Sequence, residues 1–254
     1  ITYWLRDTAL VNQDTLHFQM TYNMSDSLGK LIPQTDTLEV LAKTPYAKRM
    51  KHQKEEYDKW KKKQDKAKER GRAYETEMPV TPLEVRYDVP SQMDPDKNPT
   101  IELPTPIEKI DTGKIHLYEK IDSMWYRAKY QFGSEPGRPR TMKLVSTWNP
   151  GHEYSFEIDS AAFTDIYGKV SKKYKQGIKI PSMDEYSTLV MTLQNMEGKN
   201  CLLQLLNESD KPTKETTAKD GRATFYYVKP GTYYLRLIVD ENDNGKWDPG
   251  DYAT

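Results

Sequence analysis

The sequence predicts a mainly β protein, built of β-sandwiches and interrupted by one long charged α-helical insertion. Three observations lead there. In "DTLHFQMTYNMSD", Leu16, Phe18, Met20, Tyr22 and Met24 alternate with mostly polar residues, the period-2 signature of a half-buried strand. Comparable short runs, bounded by turn residues, return from residue 79 to the end, at a spacing that suits all-β sandwiches. Residues 46–75 break the pattern: twelve Lys or Arg and six Asp or Glu leave a local charge of +6, with no strand alternation.

Composition narrows the class. The chain has 254 residues, 36% hydrophobic and 30% charged, which is polar for one compact globule and suits a set of small domains. Tyrosine is abundant at 18, and Tyr fits strand faces that pack at one end and reach water at the other. Formal net charge is zero, so no global field argues for nucleic acid or anionic lipid. A single cysteine, Cys201, excludes an intrachain disulfide. No apolar run approaches the roughly 18 residues that span a bilayer. The chain opens directly in strand-like "ITYWLRD" and reads as a piece of a longer protein, with any export signal or lipid-anchor cysteine upstream.

Four segments follow in order. Residues 1–42 read as three strands with a "SLGK" turn, the C-terminal strands of a sandwich, or strands that pack on the next domain. Residues 43–78 read as a charged helical linker or insertion. Glu55–Lys59 and Asp58–Lys62 support a helix at i,i+4, whereas Asp65–Glu69 does not. Tyr46, Met50, Gln53, Tyr57, Trp60, Gln64 and Ala67 form a thin heptad-like seam. This helix is either a solvated spacer or a partner-binding element anchored by Tyr57 and Trp60; its narrow stripe does not suit a membrane surface. Residues 79–183 return to β, first with prolines that suit edge strands and loops, then with "KIHLYEKID", "MWYRAKYQF", "RTMKLVSTW" and "HEYSFEIDS" as strands. Residues 184–254 form a third β unit from "STLVMTLQN", "CLLQLLNES", "TTAKDGRATFYYV" and "GTYYLRLIVD".

Two stretches carry a family resemblance. Leu103-Pro104-Thr105-Pro106-Ile107 ahead of Lys114–Leu117, with the later turn Phe163, Asp165 and Gly168, resembles the bacterial Ig-like domain of exported Bacteroidota lipoproteins over about residues 83–182. "VKPGTYYLR" at 228–236 resembles the turn and strand of prealbumin-like and collagen-adhesin B-type modules. In those lipoproteins such a unit follows the Ig-like domain and closes with a loop like "DENDNGKWDPGD". The resemblance therefore implies Ig-like and prealbumin-like β-sandwiches and an envelope setting, but no reaction.

The closing loop also has its own chemistry. With Asp240 as the first of twelve positions, Asn242, Asn244, the Lys246 carbonyl, Asp248 and Asp251 fall where an EF-hand loop supplies oxygens, and Gly245 sits at the sharp turn. Asp rather than Glu at the twelfth position points to weak calcium binding in a structural role. The alternative is a polar turn in which Asx side chains bond their own backbone.

No catalytic signature emerges. His17, His52, His116 and His152 are far apart in sequence, so there is no local zinc pair. There is no nucleophile elbow, P-loop or dinucleotide fingerprint. The expectation is a non-catalytic, exported protein of the outer membrane or cell surface of a Gram-negative bacterium. It would act as a scaffold or interaction subunit, with other envelope proteins as partners and membrane association only through an anchor outside this sequence. The rival is a glycan-binding module using Trp125, Tyr126, Trp148 and Tyr154 as a stacking platform.

Overall fold

The computed structural model describes residues 4–196, 199–240 and 244–245. In chain order its elements are β1 (Thr15–Ser25), β2 (Leu31–Leu41), α1 (Tyr46–Glu69), β3 (Arg86–Asp88), β4 (Thr100–Glu102), β5 (Ile107–Ile110), β6 (Ile115–Ile121), β7 (Met124–Arg127) and β8 (Tyr130–Glu135). They continue with β9 (Arg138–Ser146), β10 (Glu153–Ile158), β11 (Phe163–Asp165), β12 (Tyr174–Lys179), β13 (Ser187–Thr192), β14 (Cys201–Leu206), β15 (Pro212–Ala218), β16 (Arg222–Val228) and β17 (Tyr234–Val239). The chain is mainly β, in antiparallel sheets, with one long charged helix. It divides into two compact units: residues 1–83 with 105–109 and 164–170, and residues 84–104 with 110–163 and 171–254.

In the first unit β1 and β2 form a two-stranded antiparallel ribbon, in register from Thr15↔Leu41 to Ser25↔Leu31. Asp26 closes its turn by accepting from Leu28 N (2.9 Å) and Lys30 N (2.8 Å), and Gly29 takes the positive φ of +78° that this turn requires. Of the three strands expected in residues 1–42, two are present among the described residues. The segment before them is a short 3-10 helix, Thr8–Asn12, nucleated by Asp7 accepting from Ala9 N.

Helix α1 starts after Pro45, with Asp14 accepting from Tyr46 N, and spans 24 residues, about 36 Å. Its Lys, Glu, Gln and Ala content favours the helix intrinsically. It ends at Gly71 (φ +63°), where Arg72 N bonds Ala67 O at 2.9 Å, the Schellman arrangement. No side chain of α1 is buried.

The remaining pieces of this unit explain the first family-like motif. Asp165 is fully buried. One of its oxygens accepts from Tyr167 N (2.9 Å) and Lys169 N (2.8 Å), and the other from Thr105 Oγ1 (2.9 Å). Ile166 N also bonds Pro106 O at 3.2 Å. The two stretches that carry the resemblance, some 60 residues apart, are thus one hydrogen-bonded lock.

The second unit holds two β layers of four strands, ordered β3-β4-β9-β8 and β12-β10-β6-β7. Their inward residues make the main core: Ile101, Met142 and Leu144 from one sheet, and Leu117, Phe156, Ile158 and Ile178 from the other. Tyr87 of β3 stacks on Tyr174 of β12 at 3.7 Å between ring centroids. Strand β12 has no counterpart in the sequence reading, which closed this sandwich at the Gly168 turn. The run "MWYRAKYQF" is two strands, β7 and β8, that belong to different sheets.

A second sandwich follows in the same unit. The pair β13-β16 lies with the three-stranded sheet β15-β14-β17. All six residues of β14 are buried, and Cys201, Leu203 and Leu205 share a core with Ala218, Ala223, Phe225 and Val228. "TTAKDGRATFYYV" is a hairpin rather than one strand, turning at Asp220 and Gly221, both at positive φ.

Candidate interaction surfaces

The ribbon β1–β2 sorts its side chains by face. One face carries Leu16, Phe18, Met20, Tyr22, Met24, Ile32, Leu38 and Val40, with Gln34 and Asp36 among them, as the register dictates. The other carries His17, Gln19, Thr21, Thr35, Thr37 and Glu39, with Leu31 and Leu41 at its ends, a Thr21–Thr35 hydroxyl bond of 2.9 Å and a His17–Glu39 contact of 3.5 Å. The apolar face is open in part: Ile32, Leu38 and Val40 are exposed, as are Tyr22 and Met24, while Leu16, Phe18 and Met20 are half-buried. Among the described residues no third strand pairs with either edge.

On α1, Tyr57 and Trp60 lie against each other with ring centroids 5.8 Å apart. Tyr57 is exposed, Trp60 is half-buried, and the Trp60 indole N–H has no acceptor. Along the seam Met50, Gln53 and Tyr57 are exposed, while Tyr46, Trp60, Gln64 and Ala67 are half-buried. Along the C-terminal half of the helix, Lys59, Lys62, Lys63, Lys66, Arg70 and Arg72 line a groove of about 570 Å³.

The terminal loop is described only in part. Asp240 is buried. Its two carboxylate oxygens accept from Asn244 N (3.1 Å) and Gly245 N (2.7 Å), so the turn is braced by its own first residue. Gly245 holds a φ of +71°. Asn242, Lys246, Asp248 and Asp251 lie outside the described residues. Among the described residues there is no group of three or more His, Cys, Asp or Glu placed to share a metal ion.

The expected aromatic platform separates. Trp148 and Tyr154 are buried and meet edge to face at 4.9 Å, so they are core. Trp125 and Tyr126 are exposed on β7, but neighbours on a strand point to opposite faces. Tyr154 instead belongs to a polar hub that the sequence did not reveal. The Glu119 Oε1 atom accepts from Asn149 Nδ2 (2.7 Å) and the Tyr154 hydroxyl (2.8 Å), and lies 2.8 Å from His152 Nδ1. Burial works against the Glu119 charge, but these bonds outweigh it and hold the carboxyl below the usual range. Burial, with the bond to Glu119, pushes the Tyr154 phenol up to about 12. No Ser, Thr or Cys among the described residues bonds the other imidazole nitrogen of His152.

Two aspartates join the sandwiches of the second unit. Asp94 accepts from Tyr186 (2.8 Å) and pairs with Lys229 (2.7 Å), while Asp96 pairs with Lys214 (2.5 Å). Burial alone would raise the Asp94 pKa, yet Lys229 and Tyr186 hold it below the usual carboxylate range. The Tyr186 phenol is pushed up by burial and by its bond to Asp94.

No family model matches the chain, and no curated protein matches it. Among solved structures it is similar to native alpha-2-macroglobulin from Escherichia coli, spanning domains MG0-NIE-MG1, at 12% identity with a TM-score of 0.29. The alignment covers 63% of this chain and 60% of that one. A likeness this distant carries neither fold nor function.

Proposed function

We propose that the chain is a non-catalytic scaffold and protein-interaction subunit of an exported assembly at the outer membrane or cell surface of a Gram-negative bacterium. The β1–β2 ribbon is the observation that supports this most. A two-stranded ribbon is marginal alone in water, and this one presents a partly exposed apolar face and two edges that no other strand pairs among the described residues, which suit strand addition by a partner. The family-like motifs joined through Asp165 support the envelope setting, with membrane attachment through an anchor outside this sequence.

The test uses the full chain returned to its source cells. Leu38→Lys with Val40→Lys places two charges on the open apolar face, and Thr37→Lys places one on the polar face. The proposal expects a defined membrane complex that survives Thr37→Lys and dissociates in the double variant. A complex indifferent to both sets, or none at all, would remove the proposal.

The loop from Asp240 to Asp251 is proposed as a weak calcium brace. Each Asp240 oxygen that accepts an amide retains a second lone pair for an ion. Raising calcium to about 10–20 mM, above the range for weak extracellular sites, is expected to raise the thermal midpoint saturably, with magnesium inert. Identical melting in EGTA and calcium would leave a metal-free turn.

A further inference from the structure

We infer that the outward face of the β12-β10-β6-β7 sheet is a saccharide-binding groove, walled by Tyr118 and Trp125 and opened by Gly177. This goes beyond the docking role, because the ribbon contributes nothing to it. Register places the groove. Tyr118 on β6 faces Ser155 on β10, which faces Gly177 on β12. On the other side of Tyr118 lies Arg127 of β7, with Trp125 two residues along the same face. Tyr118, Trp125, Ser155, Glu157, Lys175 and Gly177 line a groove of about 390 Å³, within the range of small-ligand pockets.

Three features make this more than a scattered surface tryptophan. Trp125 is 49% exposed, although a Trp on a sheet face is usually covered by its neighbours. Ser155 points outward yet is only 5% exposed, so the groove has a floor and walls. Gly177 stands in the interior of a strand, where glycine weakens the sheet and often marks the close approach of a ligand. A Cβ there would meet only the Tyr154 carbonyl oxygen, at 3.9 Å. The space above Gly177 is therefore open, and its backbone does not need glycine's positive-φ freedom.

The lining chemistry selects the ligand. Glu157 Oε1 accepts from Ser155 Oγ and pairs with Lys175, each at 2.8 Å. The two charged residues of the lining are paired with each other, and Arg127 stands outside the lining on the far side of Tyr118. Lys175, followed by Ser155, holds the Glu157 carboxyl below the usual range, and its Oε2 is left to accept hydroxyl donors. Flat aromatic walls for a C–H face, beside a carboxylate and an ammonium for hydroxyls, complement an uncharged pyranose. A peptide adding to the sheet would pair along a strand edge instead, not lie on the middle of its face.

The test applies purified full chain to a printed array of neutral and acidic oligosaccharides, then measures affinity for the strongest neutral hit. Trp125→Ala and Gly177→Val are compared with the parent. Gly177→Val is the sharper variant, since it fills the groove without touching the protein core, so its thermal midpoint should equal or exceed the parent's. The expected result is binding of a neutral saccharide that falls at least tenfold in both variants. No binding on the array, binding of acidic saccharides alone, or binding unchanged in Gly177→Val would each overturn the inference. None of these outcomes bears on the ribbon complex.

Discussion

Asp165 shows how much one side chain carries. Its carboxylate satisfies two amides and the Thr105 hydroxyl while fully buried. Asp165→Ala leaves all three without a partner, and we expect a loss of about 3 kcal/mol, read as a lower urea midpoint. Glycine substitutions sort by geometry. At Gly168 (φ +78°) an added Cβ meets nothing, so Gly168→Ala costs about 1–2 kcal/mol for the backbone conformation alone. At Gly221 (φ +70°) the Cβ would lie 3.1 Å from the Leu193 carbonyl oxygen, so Gly221→Ala should cost more by the same measurement. The sequence exposed Asp165 and Gly168 as parts of a motif. It did not expose Glu119, whose partners Asn149, His152 and Tyr154 are brought to it only by pairing of β6 with β10. Nor did it expose Gly177, because β12 was not recognised as a strand.

At the scale of elements, α1 and the Asp94 bridge behave oppositely. No side chain of the helix is fully buried, and its cationic stripe places Lys59–Lys63, Lys62–Lys66 and Lys66–Arg70 at i,i+4, each pair costing roughly 0.2–0.5 kcal/mol. Lys63→Glu turns two repulsive neighbours, Lys59 and Lys66, into attractive ones and meets no carboxylate three or four residues away, so it should raise helical ellipticity and unfold no other element. A fall in ellipticity would contradict the solvated reading. The Asp94 bridge is pH-dependent. Because its folded pKa is depressed, its stabilisation is fully present above the ordinary carboxylate value of about 4 and is lost as pH falls through the lower folded value. Denaturation followed from pH 7 to 2 should show stability falling at the acid end, and Asp94→Asn should remove part of that slope. Equal slopes in parent and variant would separate Asp94 from the acid response. The helix was legible because its composition and caps act locally, ending at Gly71 close to where glycine broke the charged run. The bridge was not, because Asp94 and Lys229 are 135 positions apart and nothing local announces their meeting.

At the scale of the molecule, the period-2 alternation was enough to give the mainly β class and most strand positions, since each strand buries one face. It was not enough to assign strands to sheets: "MWYRAKYQF" divides between two layers, a choice made by long-range pairing rather than by any residue in the run. The alternation of Leu16 to Met24 predicts a half-buried face, and Leu16, Phe18 and Met20 are half-buried while Tyr22 and Met24 are exposed. The exposed part of that face, with Ile32, Leu38 and Val40 from β2, is where the interaction account rests. Its most direct test is photo-crosslinking in the source cells, with a photoreactive residue placed singly at 16, 18, 38 and 40 on the apolar face and at 17, 19, 37 and 39 on the polar face. The account predicts one discrete adduct with another protein from the first four positions and none from the second four. Adducts of equal yield from both faces, or none from either, would contradict a ribbon that docks a partner.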